Sequence, residues 1–416
     1  MKYDTVIIGG GLTGLTCGIS LASRGQKVMV ASAGQSSLHF NSGSFDLLGY
    51  DESGTIVDNP LEAIKALGQE HPYSKLGVKK IEVMAKQAEA LLANAGITVK
   101  GQVGKNHFRL TPIGMVKPTW LTLDNMITLE GQDKFPAQEV IIANICGFLD
   151  FPVEFLKNSL ETRGITVTVK SFTTPELERA RENPSEMRAT NIAKVLDEEE
   201  NVEKVAEQIN AISHEQELIL LPAVLGIANL KAIQLLKQKV QAPITFVATM
   251  PPSVPGVLIQ TRLIQYFQSL GGTFLRQNKV VKGEFEGSQL KSVYTENLQD
   301  EPLKADHFVL ATGSFFSGDM NSNYGKVFET LFNLDITTGD DRQQWTKENL
   351  FEPQPYMRYG VQTDSDFKVR KGGKTITNLY AAGLILSGHD AVKSADGEGV
   401  SLLTGLQVAE NILEKE

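Results

Sequence analysis

The sequence predicts an α/β protein, in which a Rossmann-like nucleotide-binding domain carries an inserted α/β domain. Three observations indicate this class. A glycine-rich turn joins a short apolar strand to a helix within the first thirty residues. Residues 139–248 alternate between strand-like and helix-like segments, and two later apolar strands end in glycine. Such alternation is typical of parallel sheets, whose ligands bind beyond the carboxyl ends of the strands.

The first unit consists of a strand (3–8), a glycine turn (9–14), a helix (15–24) and a second strand (27–30). Its turn has the G-x-G-x-x-G spacing of dinucleotide-binding βαβ units. Gly9 permits a tight turn, Gly11 lets a phosphate approach, and Gly14 lets the helix pack on the strand. Together with Leu12, these glycines are predicted to bind the phosphate of a cofactor. The alternative is a glycine-rich turn without a ligand.

The end of the second strand departs from the dinucleotide pattern. An acidic residue usually stands there and binds the adenosine ribose. In this chain residues 31–33 read Ala-Ser-Ala, and the next acid is Asp46. The missing carboxylate disfavours NAD and, to a smaller degree, FAD. It favours a ligand with one phosphate and no adenosine, such as FMN.

A loop rich in glycine and hydroxyl side chains follows at residues 34–49. It is predicted to lie over the carboxyl edge of the sheet, where ligands of open α/β sheets bind. We expect His39, Ser42 and Ser44 to contact the flavin ring system. The alternative is a polar turn with a solvated histidine.

The middle of the chain, residues 51–255, is predicted to be an inserted α/β domain that caps the site. It alternates strand-type runs with helical periodicity: strands at 139–146, 165–169, 217–221 and 244–248, and helices at 61–68, 78–95, 152–163 and 230–239. A second insertion, 321–373, is expected to contribute to the cap. The flavin-binding domain is then discontinuous and comprises residues 1–50, 256–320 and 374–416.

Two later strands return the chain to the first domain and end in small residues. Thr312 and Gly313 follow one strand, Gly383 ends the other, and Gly399 stands at the start of a last helix, 400–413. Because the carboxyl ends of parallel strands share one edge, we predict that these four residues also bind the cofactor. The positive end of the last helix would then stabilise negative charge on the ring.

Composition narrows the class of function. The net charge of −9 argues against a nucleic-acid-binding role, which needs a basic surface. The two cysteines, Cys17 and Cys146, lie in apolar segments and favour a reduced, cytosolic protein. No Cys-x-x-Cys occurs, so no iron–sulfur cluster and no metal site is predicted in this chain. There is no signal-peptide pattern, and the longest apolar run, the eleven residues 218–228, is too short to span a bilayer.

The glycine unit, the Val-Leu-Ala-Thr-Gly strand and the late Asn-Leu-Tyr-Ala-Ala-Gly segment resemble flavoproteins with two dinucleotide-binding domains. The resemblance is to the branch of fumarate reductase and glycerol-3-phosphate dehydrogenase. Over nearly its whole length the chain resembles the B-subunit family of anaerobic glycerol-3-phosphate dehydrogenase. The segments that carry this likeness are 3–12, 34–44, 71–74, 187–193, 251–256 and 313–318.

This resemblance implies a non-covalently bound flavin, expected to be FMN, with FAD as the alternative. It implies two partners, an FAD-containing catalytic subunit and an iron–sulfur membrane-anchor subunit. Together they would oxidise sn-glycerol 3-phosphate to dihydroxyacetone phosphate and pass electrons to quinone. The chain would be cytoplasmic and held at the inner membrane through its partners. One departure is Leu384, where many FAD-binding members carry an acid.

If this chain itself oxidises the alcohol, it needs a general base near the flavin and cations for the substrate phosphate. The candidates are the bases His39, His107 and His389 and the cations Arg109, Arg188, Arg276 and Arg358. From these we predict His39, His389 and Arg188 as the catalytic residues. Two other functions stay open: a stand-alone FAD oxidoreductase of the fumarate reductase type, and a non-catalytic scaffold or electron-relay subunit.

Overall fold

The computed structural model describes residues 2–214, 217–339 and 341–414. The outermost residues of the predicted flavin-binding domain, 1 and 415–416, lie outside this part of the chain. So do residues 215–216 and 340 of the two predicted insertions.

The strands, in chain order, are β1 Lys2–Ile8, β2 Val28–Ala31, β3 Ser44–Phe45, β4 Val99–Gly101, β5 His107–Leu110, β6 Val116–Thr119, β7 Leu121–Leu123, β8 Thr128–Leu129, β9 Glu139–Ile145, β10 Thr166–Phe172, β11 Leu218–Pro222, β12 Ile244–Val247, β13 Thr273–Leu275, β14 Val280–Glu286, β15 Gln289–Thr295, β16 Leu303–Leu310, β17 Met320–Ser322, β18 Val327–Glu329, β19 Ile336–Thr337, β20 Gly360–Val361, β21 Lys368–Lys371 and β22 Lys374–Ala381. The helices are α1 Leu12–Ala22, α2 Pro60–Ile64, α3 Pro72–Leu76, α4 Val78–Asn94, α5 Val153–Thr162, α6 Pro175–Arg181, α7 Ala189–Val195, α8 Glu199–Ile212, α9 Lys231–Lys239, α10 Val254–Ser269, α11 Ala391–Ser394 and α12 Gly397–Leu413.

The main sheet contains five parallel strands in the order β13-β2-β1-β16-β22. This is the open, doubly wound order that the glycine unit predicts, so the predicted fold class is confirmed. β16 pairs with β22 along its carboxyl half and with the antiparallel strand β15 along its amino half. The carboxyl halves of the core strands, residues 5–8 of β1 and 308–310 of β16, are buried on both faces, as expected between two helix layers.

The register aligns the carboxyl ends of the core strands. Ile8 lies opposite Ala31 and Leu310, and Leu310 lies opposite Ala381. The four loops that follow these residues therefore leave the sheet along one edge. This alignment brings three distant parts of the sequence to one place.

Helices α1 and α12 pack together beneath that edge, and glycine permits their close approach. A Cβ on Gly405 would lie 2.9 Å from the Thr13 carbonyl oxygen. Both helices begin three residues before their predicted starts, at Leu12 and Gly397. Glycine lowers intrinsic helix propensity, and the burial of these first turns in the protein outweighs that preference.

The middle of the chain forms a second parallel sheet, with the order β10-β9-β11-β12. The loop after β2 contacts this region, because β3 pairs with β7. Helix α4 instead packs on α12 of the main sheet. The second excursion contains the small pairs β17–β18 and β19–β20 and returns through β21, which pairs with β22. The predicted domain boundaries stay predictions.

The buried apolar residues of both sheets belong to one continuous core. None of the helices in the described residues has the length and apolar composition that crossing a membrane requires.

Candidate functional site

The glycine turn after β1 packs against the protein at two of its fingerprint glycines and is open at the third. A Cβ on Gly9, whose φ is +122°, would lie 2.1 Å from the Ala311 carbonyl oxygen. A Cβ on Gly14 would lie 2.0 Å from the Gly9 carbonyl oxygen. A Cβ on Gly11 would meet nothing closer than the Ser36 Cβ, at 3.7 Å. Free space therefore adjoins Gly11 at the start of α1.

The start of α1 has the properties of an anion site. Gly11 is its N-cap and offers no side-chain acceptor. The first N–H groups of the helix have no acceptor within the helix, and the helix dipole makes this end positive. The buried Gln260 of α10 fixes the turn from the other side, because its Nε2 donates to the Gly10 carbonyl at 3.0 Å.

A cavity of about 230 Å³ lies beyond the carboxyl edge of the main sheet. Leu12 comes from the turn after β1, Ser314 from the loop after β16, and Leu384 from the loop after β22. The remaining lining residues come mainly from the loop after β2 and from the start of α12: Ser37, Leu38, Phe40, Asn41, Phe316, Met357, His389, Ala391, Val392, Gly397, Glu398 and Ser401. The wall is therefore largely apolar, with a few hydroxyl, amide and ionisable groups.

The hydroxyl-rich loop forms a hydrogen-bonded network behind the cavity wall. Asn41 Oδ1 accepts from the Gly43 N–H at 2.8 Å, and its Nδ2 donates to Glu398 Oε1 at 3.1 Å. The Ser42 and Ser44 hydroxyls lie 3.2 Å apart. Neither serine lines the cavity in the described part of the chain. Their contact with the cofactor stays a prediction, whereas Asn41, which the sequence-based set omits, is a lining residue.

A half-buried carboxyl group, Glu398, lies in the cavity wall at the start of α12. Burial raises the pKa of Glu398 to about 7, and the negative charge of Asp46 acts in the same direction. The positive charge of Arg109 lowers this pKa but does not outweigh the other two effects. Arg109 Nη2 lies 3.3 Å from Asp46 Oδ2, and its Nη1 donates to Ser42 Oγ at 2.9 Å. The guanidinium charge is therefore balanced within the protein, and Glu398 can give or take a proton near neutral pH.

Two buried histidines meet on one buried aspartate beside the cavity. His71 Nε2 lies 2.9 Å from Asp396 Oδ2, and His389 Nδ1 lies 3.1 Å from Asp396 Oδ1. Burial by itself would raise the pKa of Asp396. The charges and hydrogen bonds of His389 and His71 outweigh it and hold that pKa well below its usual range. His389 is the member of this cluster that lines the cavity.

Close backbone packing brings the two histidines together. His71 is the N-cap of α3, and its Nδ1 accepts from the Tyr73 N–H at 3.1 Å. A Cβ on Gly388, whose φ is +97°, would lie 2.2 Å from the Glu70 carbonyl oxygen. A side chain at 388 would therefore separate the loop that carries His389 from the segment that carries His71.

Two glycines predicted to bind the cofactor use their N–H groups within the protein. The Gly383 N–H donates to Thr404 Oγ1 at 2.8 Å, and the Gly399 N–H donates to the Asp46 carbonyl at 2.9 Å. Neither glycine lines the cavity in the described part of the chain, although the next residue after Gly383 does. Their role towards a cofactor stays a prediction.

The end of β16 has an unsatisfied polar atom. Thr312 Oγ1 is buried and has no hydrogen-bond partner within the described residues. A Cβ on the neighbouring Gly313 would lie 2.3 Å from Ser317 Oγ, and φ at Gly313 is +112°. Gly313 therefore permits the turn that places Ser314 in the cavity wall.

The other two predicted catalytic residues, His39 and Arg188, do not line the cavity in the described part of the chain. His39 is half-buried in the 3-10 turn Ser37–Phe40, between two residues that line the cavity. Arg188 caps α7, is 54% exposed, and pairs with the buried Asp150 at 2.5 Å. Their catalytic roles stay predictions.

The sequence did not predict that His71 and Asp396 form a cluster with His389 beside the cavity, or that Glu398 lines the cavity. His71 and Asp396 are 325 residues apart. The signals in the sequence were His71 before a helix-starting proline and the two acids that flank Gly397. Neither signal indicates a partner without the fold.

These residues fit a flavin. A flavin needs an anion site for its phosphate and an apolar wall with a few polar groups for its ring. The space at Gly11 beside the start of α1 provides the first, and the cavity provides the second. The unsatisfied Thr312 hydroxyl at the same edge is a further polar group with no partner in the described part of the protein.

Comparison with known proteins agrees with this assignment. The family model described as "FAD binding domain" matches residues 4–400. The B subunit of anaerobic glycerol-3-phosphate dehydrogenase from Yersinia enterocolitica serotype O:8 is 41% identical over an alignment of 417 positions, which covers 99% of this chain and 98% of the relative. The B subunit of the same name from Pectobacterium carotovorum subsp. carotovorum is 39% identical over 418 residues, with 100% and 99% covered.

Among solved structures, 3-ketosteroid delta1-dehydrogenase from Sterolibacterium denitrificans is similar, with a TM-score of 0.46, 11% identity and 100% of both chains covered. The sequence relatives match this chain over 99% or more of its length, and the FAD-binding model covers most of the main sheet and all but one of the cavity-lining residues. The chain therefore belongs to the B-subunit family of anaerobic glycerol-3-phosphate dehydrogenase, as the sequence motifs predict.

Proposed function

We propose that this chain is the flavin-carrying subunit of an anaerobic glycerol-3-phosphate dehydrogenase. The enzyme oxidises sn-glycerol 3-phosphate to dihydroxyacetone phosphate, which releases two electrons and two protons. A bound flavin supplies the acceptor for those electrons. The observation that carries the proposal is the cavity at the strand ends, with the open anion site at Gly11, in a chain of this family.

The lining of the cavity favours an electron-relay role within that enzyme. A phosphate ester carries roughly two negative charges at neutral pH, and proteins bind it with arginine or lysine. Within the described residues, the cavity lining includes neither. The nearby Arg109 is already paired with Asp46. We therefore propose that an FAD-containing partner binds and oxidises the substrate, while this chain passes electrons on.

The direction of electron flow completes the proposal. The sequence has no Cys-x-x-Cys for an iron–sulfur cluster. An iron–sulfur subunit that anchors the assembly at the membrane would then accept the electrons and deliver them to quinone. Membrane association of this chain would follow from that partner.

Reduction of the purified, flavin-loaded chain by glycerol 3-phosphate tests which subunit oxidises the substrate. We expect the visible flavin absorbance to persist with the substrate alone and to bleach when the partner subunits are added. Dithionite, which needs no substrate site, should bleach it in both samples. Bleaching by glycerol 3-phosphate alone, at the rate of the complete enzyme, would place the oxidation in this chain.

We also propose that the flavin is FMN, bound without a covalent link. The end of β2 supports this choice, because Ser32 stands there in place of an acid and donates its hydroxyl to the Gly34 carbonyl at 3.1 Å. Acid precipitation of the chain followed by chromatography of the supernatant tests both points. FMN in the supernatant is expected. FAD there, or flavin retained in the protein pellet, would contradict the proposal.

A further inference from the structure

The cluster of His71, Asp396 and His389 has one consistent arrangement of protons. His71 Nδ1 accepts the Tyr73 backbone N–H, so a neutral His71 carries its proton on Nε2 and donates it to Asp396 Oδ2. Asp396 is ionised, since each of its carboxylate oxygens accepts a hydrogen bond from a histidine ring, and such bonds lower the pKa of a carboxyl group. His389 then donates from Nδ1 to Asp396 Oδ1. Each carboxylate oxygen accepts one N–H.

The same arrangement argues against a metal ion between the three side chains. A metal needs a lone pair on the nitrogen that faces it. His71 Nε2 carries a proton as long as Nδ1 accepts from Tyr73, so it has no lone pair to offer. The cluster is satisfied by hydrogen bonds alone.

Nε2 of His389 is the ring nitrogen of this cluster that takes no part in its hydrogen bonds. It has no hydrogen-bond partner in the part of the chain that the structure describes, and His389 lines the cavity. In a neutral ring that donates from Nδ1, Nε2 holds the lone pair. This is the arrangement in which a carboxylate fixes the tautomer of a histidine that exchanges protons at its other nitrogen.

We propose that Asp396 and His71 are positioning residues that hold Nε2 of His389 open to the cavity, where it exchanges the proton that accompanies reduction and oxidation of the bound flavin. The proposal rests on the proposed function, which supplies the electrons. When two electrons enter the site, protonated His389 releases its Nε2 proton to the cavity. When they leave, Nε2 takes one proton back. Asp396 stays ionised throughout and stabilises the protonated ring.

His71 contributes by fixing Asp396. With both oxygens bound by N–H groups, the carboxylate cannot rotate away from His389. Because His71 accepts at Nδ1 from a backbone group, it offers no second exit for the proton. Other titratable or charged groups near His389 include the adjacent buried Asp390, Glu398 in the cavity wall, Tyr73 on α3, Glu70 beside Gly388, and Arg358, whose Nη2 donates to the Gly388 carbonyl.

The tautomers can be read without flavin or activity. Nitrogen NMR of the full chain with ¹⁵N-labelled histidine distinguishes a proton on Nδ1 from one on Nε2. We expect His389 to carry its proton on Nδ1 and His71 on Nε2, with signals assigned by their loss in His389→Gln and His71→Gln. In Asp396→Asn we expect His389 to shift its proton to Nε2. A wild-type His389 protonated at Nε2 alone would overturn the proposal.

The proton exchange is measured by the reduction potential of the flavin-loaded chain as a function of pH. One proton taken up per two electrons lowers the potential by about 30 mV per pH unit, the value of a tenfold change for a two-electron couple. We expect the slope of the wild-type plot to change at one pH, because Nε2 of His389 supplies the proton on one side of that pH and the solvent supplies it on the other. Asp396→Asn should remove this change of slope, and Asp396→Glu should restore it at a shifted pH. His71→Gln should also shift it.

The control is His214→Gln. His214 is exposed, and it does not line the cavity in the described residues. Its plot should superimpose on the wild type. If the Asp396→Asn plot also superimposes while the flavin is retained, the proposal is wrong. A chain that binds no flavin would refute the proposed function, and the NMR tautomers would still decide the roles of Asp396 and His71.

Discussion

At the scale of single residues, the fingerprint glycines separate into those that the fold needs and one that the ligand needs. A side chain at Gly9 or Gly14 would overlap the backbone, whereas a side chain at Gly11 enters open space. We therefore expect Gly11→Val to fold normally and to lose its flavin. Flavin absorbance per chain after gel filtration measures this. Gly34→Ala, where a Cβ meets nothing within 4 Å, is the control that keeps its flavin. A Gly11→Val chain with full flavin content would contradict the phosphate site.

Glu398 gives a second residue-scale prediction, on stability against pH. Its pKa rises from 4.5 to about 7 on folding, so the fold favours the protonated form. The stabilisation is complete below pH 4.5 and is lost as the pH rises through about 7. Each pKa unit corresponds to about 1.4 kcal/mol, so Glu398→Gln should gain up to about 3 kcal/mol over the wild type between pH 4.5 and pH 8.

Urea unfolding of the purified chain at the two pH values measures that change. Glu414→Gln, an exposed residue at the carboxyl end of the same helix, should show the pH dependence of the wild type. Equal pH dependence in Glu398→Gln and in the wild type would mean that Glu398 ionises in the fold as it does in water.

At the scale of elements, one threonine joins the end of β22 to α12. Thr404 Oγ1 accepts the Gly383 N–H and donates to the Val400 carbonyl, and Thr404 is fully buried. Thr404→Val keeps the shape but leaves the Gly383 N–H without a partner. A buried unsatisfied donor costs about 1–3 kcal/mol, so the unfolding free energy should fall by that amount. Thr377→Val, at an exposed site on β22, should change it by less than about 0.5 kcal/mol.

Local pattern predicted the elements well and their starts less well. The strands of the main sheet were predictable because buried parallel strands are continuous apolar runs. The first turns of α1 and α12 could not be predicted in the same way, because Gly14 and Gly399 disfavour a helix in isolation. Each position is glycine because neighbouring atoms leave no room for a side chain: the Gly9 backbone in the case of Gly14, and Tyr73 and Leu47 in the case of Gly399.

At the scale of the whole molecule, both parallel sheets share one apolar core. We expect the inserted region and the flavin site to unfold together. The chain has two tryptophans, and Trp120 is fully buried in the inserted region. In a Trp345→Phe chain, the fluorescence of Trp120 and the release of flavin should have the same urea midpoint, as coincident probes do in a two-state transition. Well-separated midpoints would show that the two regions unfold independently.

The whole molecule also explains which part of the site could be predicted. The edge of the sheet that carries the cavity could be predicted, because Gly9, Gly313 and Gly383 follow strand ends and the topology places strand ends on one edge. The sequence did not predict the polar groups His71, Asn41 and Glu398, because their roles depend on contacts between segments hundreds of residues apart. Such contacts leave no periodic signal in a single sequence.

The order in which the cavity wall is encoded has a consequence for biosynthesis. Leu12 is synthesised before Ser314 and Leu384, and Glu398 follows them in the last helix of the described residues. A nascent chain on the ribosome therefore lacks a complete wall until residues 397–413 have emerged. A cofactor that needs the whole wall is expected to bind only after synthesis of that helix, so its retention would mark a chain that has been translated and folded through α12.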